Sequence, residues 1–300
     1  IDKIVKKINE TIIREQFESV KATVTEKIVD DKIHMIFLID ESEKFSIQRI
    51  NILGNNITEE KVIRNQFEVD EGDFYNEILV SKSINNIKSL NFFKTVESEV
   101  ITDQNNLNKI INISVEEKAT GEIMAGAGIG TSGSTVVFGV KENNYLGKGI
   151  GLNTQVQLSE EDIKGSFTVN NPNFNNTDNS LFFSLESSET DRLKTSGYKN
   201  NKTGFSLGTR FEYFDDLNLY LGTSNYYEKI STNSSASAKQ QKQKGNYWDS
   251  ILNINFTQDK RNARFQTSSG YISRYKLDLP VISDTNTFKN VYNYKLFGEL

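Results

Sequence analysis

The chain of 300 residues lacks several residue types, and each shortage excludes a class of function. It has no cysteine, which excludes a disulfide framework, a thiolate metal site and a cysteine nucleophile. It has one histidine, His34, which excludes a histidine-rich metal site and argues against a Ser-His-Asp triad. The net charge of −5 leaves no basic excess of the kind that nucleic-acid binding needs. These shortages predict a protein that is not an enzyme, binds no nucleic acid and needs no metal or other cofactor.

Long apolar runs are also missing. The mean hydropathy is −0.52, and no run approaches the roughly 18–20 apolar residues of a spanning helix. A membrane is still possible, because a spanning β-strand needs only about 9–11 residues of alternating character. If the protein crosses a membrane, the sequence therefore predicts that it does so with strands.

The first 119 residues mix helical and strand periodicity. Apolar residues four apart over Ile4–Ile12 predict a helix. Alternating runs at Val20–Val24 and Ile33–Ile39 predict two strands, and the acidic pair Asp30-Asp31 suits a turn between them. This helix–strand–strand order ends near residue 43.

A fuller version of the same order follows over residues 44–119. The predicted elements are a strand at Ile50–Ile52 ending at the turn residue Gly54, a helix with Thr58 as its N-cap, a helix over Val80–Leu90, and strands over Phe93–Ile101 and Ile111–Val115. The order is β-α-α-β-β, and the first 43 residues match its last three elements. The sequence therefore predicts a repeat whose first copy is truncated.

From residue 120 onward the helical periodicity gives way to alternation of apolar and polar residues. Ten strands are predicted, at residues 123–130, 136–141, 150–158, 167–169, 181–185, 205–213, 217–223, 248–256, 271–277 and 291–300. The polar segment Ser231–Asn246 is predicted to be a mobile loop. Such alternation fits a soluble barrel or sandwich as well as an outer-membrane barrel. The polar faces, rich in Asn, Gln, Gly and Lys, and the aromatic residues near strand ends favour the membrane barrel.

Specific segments then resemble a known family. Residues 49–58, 62–64, 71–73 and 90–93 closely resemble a POTRA domain, and in particular the last POTRA domain of the BamA family of outer-membrane protein assembly factors. Asn91 stands where that family usually has glycine, and asparagine is the next best residue for a left-handed helix end. Residues 120–130, 143–149, 170–174, 259–261 and 269–270 resemble parts of the barrel of the same family.

The resemblance implies an architecture and a location. It implies α+β POTRA domains followed by an antiparallel transmembrane β-barrel, of which about ten of sixteen strands are in this sequence. Residues 1–43 would be the end of a truncated POTRA domain, residues 44–119 a complete one, and residues 120–300 the first part of the barrel. The full protein is then expected to carry further POTRA domains before Ile1 and six strands after Leu300. Its POTRA domains would lie in the periplasm and its barrel in the outer membrane.

The glycine-rich run that opens the barrel is the first candidate site. It is not a nucleotide loop, because Thr131 occupies the sixth place of a G-x-G-x-x-G pattern and a strand follows. The glycines either leave room for a neighbour or weaken the first strand so that the barrel seam can open and pair with an incoming strand. The predicted lateral-gate residues are Gly121, Ile123, Ala125, Gly126, Ala127, Gly128, Ile129 and Gly130.

Two candidate sites lie in the last POTRA domain. By resemblance, Arg64 and Glu71 match positions that contact a BamD-like lipoprotein, although both residues also fit ordinary solvated surface charge. The strand Phe93–Ile101 would be an exposed edge able to bind unfolded clients by β-augmentation, and it equally fits a plain sheet edge protected by its charges. The predicted edge residues are Phe93, Thr95, Val96, Ser98 and Val100.

The resemblance implies a function and a set of partners. The function would be assembly and insertion of β-barrel proteins, by POTRA capture of unfolded clients and strand templating at the weak seam. The implied partners are unfolded outer-membrane proteins, the lipoprotein and other assembly-complex subunits, a periplasmic chaperone and outer-membrane lipid. Two alternatives stay open: a two-partner secretion translocator or TamA-like factor of the same superfamily, and a passive porin-like channel with periplasmic binding domains.

Overall fold

The computed structural model describes residues 20–29, 32–41, 44–130, 133–214, 216–261, 267–283 and 288–298. The predicted helix over Ile4–Ile12 and the predicted turn at Asp30-Asp31 lie outside these residues. The chain divides into two compact units, Ile1–Ala119 and Thr120–Leu300. Across the described part of the chain, no helix combines the length and the apolar character that crossing a membrane requires.

The described residues of the first unit form a hairpin followed by a three-stranded sheet. The hairpin joins β1 (Val20–Val29) and β2 (Lys32–Glu41), as the alternation predicts. The following elements are β3 (Ser46–Leu53), α1 (Glu60–Arg64), α2 (Glu77–Ser89), β4 (Phe93–Asp103) and β5 (Asn108–Glu117). The sheet order is β3-β5-β4, with β3 parallel and β4 antiparallel to β5. The predicted β-α-α-β-β order is confirmed.

The hydrophobic core of this unit forms where the apolar faces of the sheet and the helices meet. Ile63 of α1, Ile87 of α2 and Ile111 of β5 are each 0% exposed. The whole buried cluster comprises Ile47, Ile50, Val62, Ile63, Val69, Val80, Ile87, Phe92, Phe93, Ile111, Ile113 and Val115. The periodicity that predicts the elements therefore also predicts the side chains that hold them together.

Local backbone geometry confirms the expected conformations of Gly54 and Asn91 and corrects the predicted N-cap. Gly54 has φ +91°, and a Cβ there would lie 2.0 Å from the Val115 carbonyl oxygen. Asn91 has φ +60°, the left-handed conformation expected of it. Thr58 is not the N-cap of α1, because that position is Glu59, which makes no side-chain capping bond. Thr58 is instead buried, and its backbone N–H donates to Glu117 Oε1 at 2.6 Å.

The second unit is a sheet of ten antiparallel strands. They are β6 (Gly121–Gly130), β7 (Gly133–Tyr145), β8 (Ile150–Ser159), β9 (Asp162–Asn171), β10 (Ser180–Arg192), β11 (Tyr198–Phe214), β12 (Leu217–Thr232), β13 (Gly245–Asp259), β14 (Gly270–Ile282) and β15 (Lys289–Phe297). Each strand pairs with its neighbours in the chain, so β6 and β15 are the two ends of the sheet. All ten predicted strands are confirmed, and within the described residues the sheet is not closed.

The segment predicted as a mobile loop carries a helix instead. Two short helices join strands in this unit: α3 (Leu193–Ser196) and α4 (Ala238–Lys242). The predicted loop Ser231–Asn246 contains α4, whose N-terminus is fixed by a capping box between Ser237 and Gln240. The Ser-x-x-Gln spacing is the signal that sequence reasoning overlooked.

The two faces of the ten-stranded sheet differ in chemistry. On one face apolar side chains stay exposed, among them Ile123, Val136 and Phe138. On the other face polar side chains bond across strands: Ser206 Oγ donates to Ser224 Oγ at 2.9 Å, and Ser224 Oγ donates to Asn253 Oδ1 at 2.8 Å. Asn253 Nδ2 then donates to Asp278 Oδ1 at 2.8 Å. An apolar face turned outward and a bonded polar face turned inward are typical of a membrane barrel.

Candidate functional site

One edge of the three-stranded sheet is covered at its middle by two predicted site residues. Arg64 Nη2 donates to the Ile50 carbonyl oxygen at 2.9 Å, and the Ile50 N–H donates to Glu71 Oε1 at 3.0 Å. Arg64 Nη1 and Glu71 Oε1 lie 3.6 Å apart. The structure thus brings Arg64 and Glu71 together on the outer edge of β3, where they occupy backbone groups that another strand would need.

The same edge is also covered by the loop before α2. The Ile47 N–H donates to the Asp73 carbonyl oxygen, and the Gly72 N–H donates back to the Ile47 carbonyl oxygen, both at 2.8 Å. The Tyr75 N–H donates to the Phe45 carbonyl oxygen, also at 2.8 Å. A further strand therefore finds the backbone of β3 already bonded along most of its length.

The opposite edge, β4, pairs with β5 and with no other strand of the described residues. Thr95 and Ser98 are exposed, whereas Val96 and Val100 are half-buried on the sheet. Phe93 departs from the prediction of an accessible edge residue, because its side chain is 7% exposed and belongs to the core. The edge carries charge: Lys94 Nζ lies 2.9 Å from Glu116 Oε1 on β5.

The first strand of the large sheet lies at one end of that sheet. Among the described residues, β6 pairs with β7 alone, in a register running from Gly121 opposite Glu142 to Gly130 opposite Gly133. Every side chain of β6 is exposed. A Cβ added to Gly126, Gly128 or Gly130 would meet no described atom within 4 Å.

Sequence reasoning missed the contacts that hold the start of β6. Thr120 Oγ1 donates to Glu142 Oε1 at 2.5 Å, and the Thr120 carbonyl oxygen accepts from Asn143 Nδ2 at 3.1 Å. Glu142 Oε1 also accepts the Asn144 N–H at 2.7 Å. The available signal was the Asn143-Asn144 pair before a tight turn, a composition that favours side-chain bonds to the backbone.

Glu117, at the end of β5, accepts hydrogen bonds from three successive backbone N–H groups. Its two oxygens accept the backbone N–H groups of Asn56, Ile57 and Thr58 at 2.9, 2.8 and 2.6 Å. Burial would raise the pKa of Glu117, but hydrogen bonds from Thr58 and from these backbone groups outweigh it and hold the pKa below its usual range. This carboxylate fixes the loop between β3 and α1.

The chemistry that these sites offer is backbone pairing. Among the described residues, no group of three or more His, Cys, Asp or Glu could hold a metal ion. What β4 and β6 present is a row of backbone donors and acceptors to an extended segment.

Comparison with known proteins shows the family. Residues 144–299 match the Omp85 superfamily domain, and residues 45–118 match POTRA, described as a surface antigen variable number repeat. The chain belongs to the Omp85 superfamily. It is accordingly an outer-membrane protein whose POTRA part lies in the periplasm.

Two named relatives are consistent with the assignment to this superfamily. The chain is 27% identical over 213 residues to the outer membrane protein assembly factor BamA of Neorickettsia risticii, covering 66% of this chain and 27% of the relative. It is 26% identical to BamA of Neisseria meningitidis, covering 65% of this chain and 25% of the relative. The chain thus spans only about a quarter of the length of these relatives.

Solved structures show the same fold. BamA from Haemophilus ducreyi lacking POTRA domains 1–3 matches with a TM-score of 0.68 at 21% identity, over 96% of this chain and 60% of that one. CdiB from Acinetobacter baumannii matches with a TM-score of 0.52 at 11% identity, over 94% of this chain and 54% of that one. At these identities the likeness concerns the fold alone.

Proposed function

We propose that this chain is part of an assembly factor that inserts β-barrel proteins into the outer membrane by pairing β6 with a strand of the client. The observation that carries the proposal is the glycine-rich half of β6, where a Cβ on Gly126, Gly128 or Gly130 would meet no described atom within 4 Å. The assembly-factor names of the relatives support it. The function needs no catalytic residue and no cofactor, since folding and membrane burial of the client supply the free energy.

The physical basis is the cost of unpaired backbone in lipid. Each unsatisfied N–H or C=O in the hydrocarbon region costs several kcal/mol, so an open strand edge there favours a new partner. Each glycine weakens a strand by roughly 0.5–1 kcal/mol relative to alanine, so three of them weaken β6 by about 1.5–3 kcal/mol. The lateral-gate residues Gly121–Gly130 therefore form a strand that exchanges partners easily.

We assign capture of unfolded clients in the periplasm to β4. Bonds from Arg64, Glu71 and residues 72–75 cover β3, so β-augmentation of this sheet is left to β4. Thr95, Val96, Ser98 and Val100 line that edge, and the buried Phe93 anchors its start. The register shift between Phe93 and Thr95 limits pairing to the segment beyond it.

Arg64 and Glu71 are the proposed contact for a BamD-like lipoprotein, alongside their bonds to Ile50. Their side chains remain 40% and 45% exposed, which leaves room for an ionic contact with a partner. Glu71→Gln keeps an oxygen that accepts the Ile50 N–H but removes the charge. If Glu71 serves the partner, this variant loses lipoprotein binding while the unit stays folded. Binding equal to that of the parent would restrict Glu71 to its structural role.

We also propose a division of the chain into domains. Residues 1–43 would belong to one POTRA domain, residues 44–119 to a second, and residues 120–300 to a barrel. Partners beyond clients and the lipoprotein are other assembly-complex subunits, a periplasmic chaperone and outer-membrane lipid.

The decisive experiment is a disulfide scan in the full-length protein, with any other cysteine replaced. Ala125→Cys on β6 is combined with single cysteines along the last strand of a stalled client barrel. The expected result is a crosslink at one register. Phe138→Cys, opposite Ala125 on β7, is the matched control, because β7 is paired on both sides and should not crosslink.

The alternatives predict other outcomes. A passive channel predicts steady conductance, a β6 seam as firmly paired as any other, and no crosslink. A translocator or TamA-like factor predicts that deleting the protein leaves assembly of most barrel clients unaffected. No crosslink together with unaffected assembly contradicts the proposed function.

A further inference from the structure

The two ends of the first strand of the large sheet are held in different ways. Its end is joined to β7 by the chain itself, since only residues 131–132 separate Gly130 from its partner Gly133. In this half Gly126, Gly128 and Gly130 offer no side chain to pack, and Ile129 is 92% exposed. Glycine side-chain contacts therefore add nothing to the backbone pairing of this half.

The start of β6 is held by side chains as well as by the ladder. Thr120 bonds through its hydroxyl to Glu142 and through its carbonyl oxygen to both the backbone and the side-chain nitrogen of Asn143. A Cβ on Gly121 would lie 3.0 Å from Glu142 Oε2, so the absence of a side chain there lets Glu142 lie across the strand. The carboxylate acceptor makes the Thr120–Glu142 bond stronger than a neutral one.

The side chains that hold the start of β6 adjoin the turn between β7 and β8. The register of β7 with β8 shifts between Glu142 and Tyr145, which places Asn143 and Asn144 in a β-bulge. Asn144 is 6% exposed, and its Oδ1 accepts the Gly149 N–H at 2.7 Å. The turn in between includes Leu146 with φ +54°. The buried Asn144 side chain thus ties this turn to the end of β7, next to Glu142 and Asn143.

We propose that Thr120, Glu142, Asn143 and Asn144 form a clamp that holds the start of β6 in register while the glycine half exchanges partners. This inference rests on the proposed templating function and deepens it. A slip of one residue moves every side chain of a strand to the other face of the sheet. Holding one end of β6 therefore gives an incoming strand a single register to copy. Glu142 and Asn144 are positioning residues, since they act through Thr120 and β6.

Amide hydrogen exchange of the full-length protein in phospholipid vesicles tests the clamp itself. In the parent, amides of Gly121–Ala125 should exchange at least about tenfold more slowly than those of Gly126–Gly130, after correction for intrinsic rates. Glu142→Ala and Thr120→Val should each abolish most of this difference, and Glu142→Gln, which keeps one acceptor oxygen, should have a smaller effect. Equal protection of the two halves in the parent overturns the clamp.

Glu122→Ala is the matched control. It removes the same charge from a residue of β6 adjacent to Gly121 and touches none of the clamp atoms, so the exchange pattern should match that of the parent. If Glu122→Ala changes the pattern as much as Glu142→Ala does, net charge rather than the clamp is responsible, and the proposal fails.

The register of client crosslinking tests the positioning role. With Ala125→Cys, the parent should crosslink at one client position, and Glu142→Ala should spread the crosslinks over neighbouring positions, with at least about threefold loss at the original one. An unchanged single register in Glu142→Ala overturns the positioning role while leaving templating intact. Absence of any crosslink in the parent contradicts templating instead, and hydrogen exchange then decides the clamp separately.

Discussion

The two units of this chain use the same alternation of apolar and polar residues in opposite senses. In the POTRA part the apolar faces of sheet and helices close on a cluster that includes Ile63, Ile87 and Ile111, each 0% exposed. In the ten-stranded sheet the apolar residues Ile123 and Phe138 stay exposed, and the polar residues bond to one another. Periodicity alone therefore predicts the strands, while the surroundings decide which face is the inside.

The largest effect expected from this contrast concerns aliphatic side chains. Ile111→Ala should destabilise the POTRA part by about 2–5 kcal/mol, near the upper end because the site is fully buried and leaves a cavity. Ile123→Ala on β6 should cost less than half as much, since lipid can fill the space. The free energy of opening, from hydrogen exchange of β5 and β7 amides, measures both. Equal costs would contradict the assignment of an outward apolar face.

Gly54 tests how tightly the first unit is packed. Gly54→Ala should destabilise it by about 2–4 kcal/mol, because φ is +91° and the added Cβ would overlap the Val115 carbonyl oxygen. Faster hydrogen exchange of the β3 and β5 amides measures this loss of stability. Gly72→Ala is the control for backbone strain alone, since Gly72 has φ +101° with open space around it. A similar loss in both variants would exclude the overlap as the main cause.

The pH dependence of the first unit should follow Glu117. Its pKa is lowered on folding, so its contribution is present above the ordinary carboxyl pKa and is lost as pH falls through the lower folded pKa. Glu117→Gln puts an amide NH₂ among three N–H donors and should cost about 1–3 kcal/mol at neutral pH. Unfolding measured against pH should show a smaller acid-induced loss in this variant than in the parent.

Glu116→Gln controls for this effect. Glu116 makes an exposed ion pair with Lys94, and such pairs contribute little. Its variant should retain the acid dependence of the parent. Loss of the acid dependence in Glu116→Gln would assign it to surface charge rather than to Glu117.

The smallest expected effect is a gain in stability, whereas the other variants lose stability. Gly126→Ala should strengthen β6 by roughly 0.5–1 kcal/mol, because the Cβ meets no described atom within 4 Å and alanine loses less entropy in a strand. Slower hydrogen exchange of β6 is the measurement, and slower client assembly should accompany it if the weak strand serves templating. A destabilised Gly126→Ala would mean that the position is sterically confined in the full-length protein.

Local and long-range features differ in how far they could be predicted. The ten strands and the β-α-α-β-β order follow from periodicity, and Gly54 and Asn91 are predicted correctly as turn residues because their conformation is a property of a few neighbours. Arg64 and Glu71 bond the backbone of Ile50 from 14 and 21 residues away, and Thr120 meets Glu142 from 22 residues away. Such contacts depend on how elements pack, which no spacing along the chain reveals. The Thr58 prediction failed for a related reason, since its N–H belongs to a bond with distant Glu117.

Because the edge of β3 is covered, the POTRA sheet can pair with only one further strand. A sheet with both edges open could pair with two extended chains at once, and each of those could recruit another, which is how strand-on-strand polymers grow. With Arg64, Glu71 and the loop before α2 occupying β3, each such sheet can accept a single chain, at β4. If β4 captures clients as proposed, each POTRA sheet would hold one unfolded barrel protein without nucleating the aggregation of others.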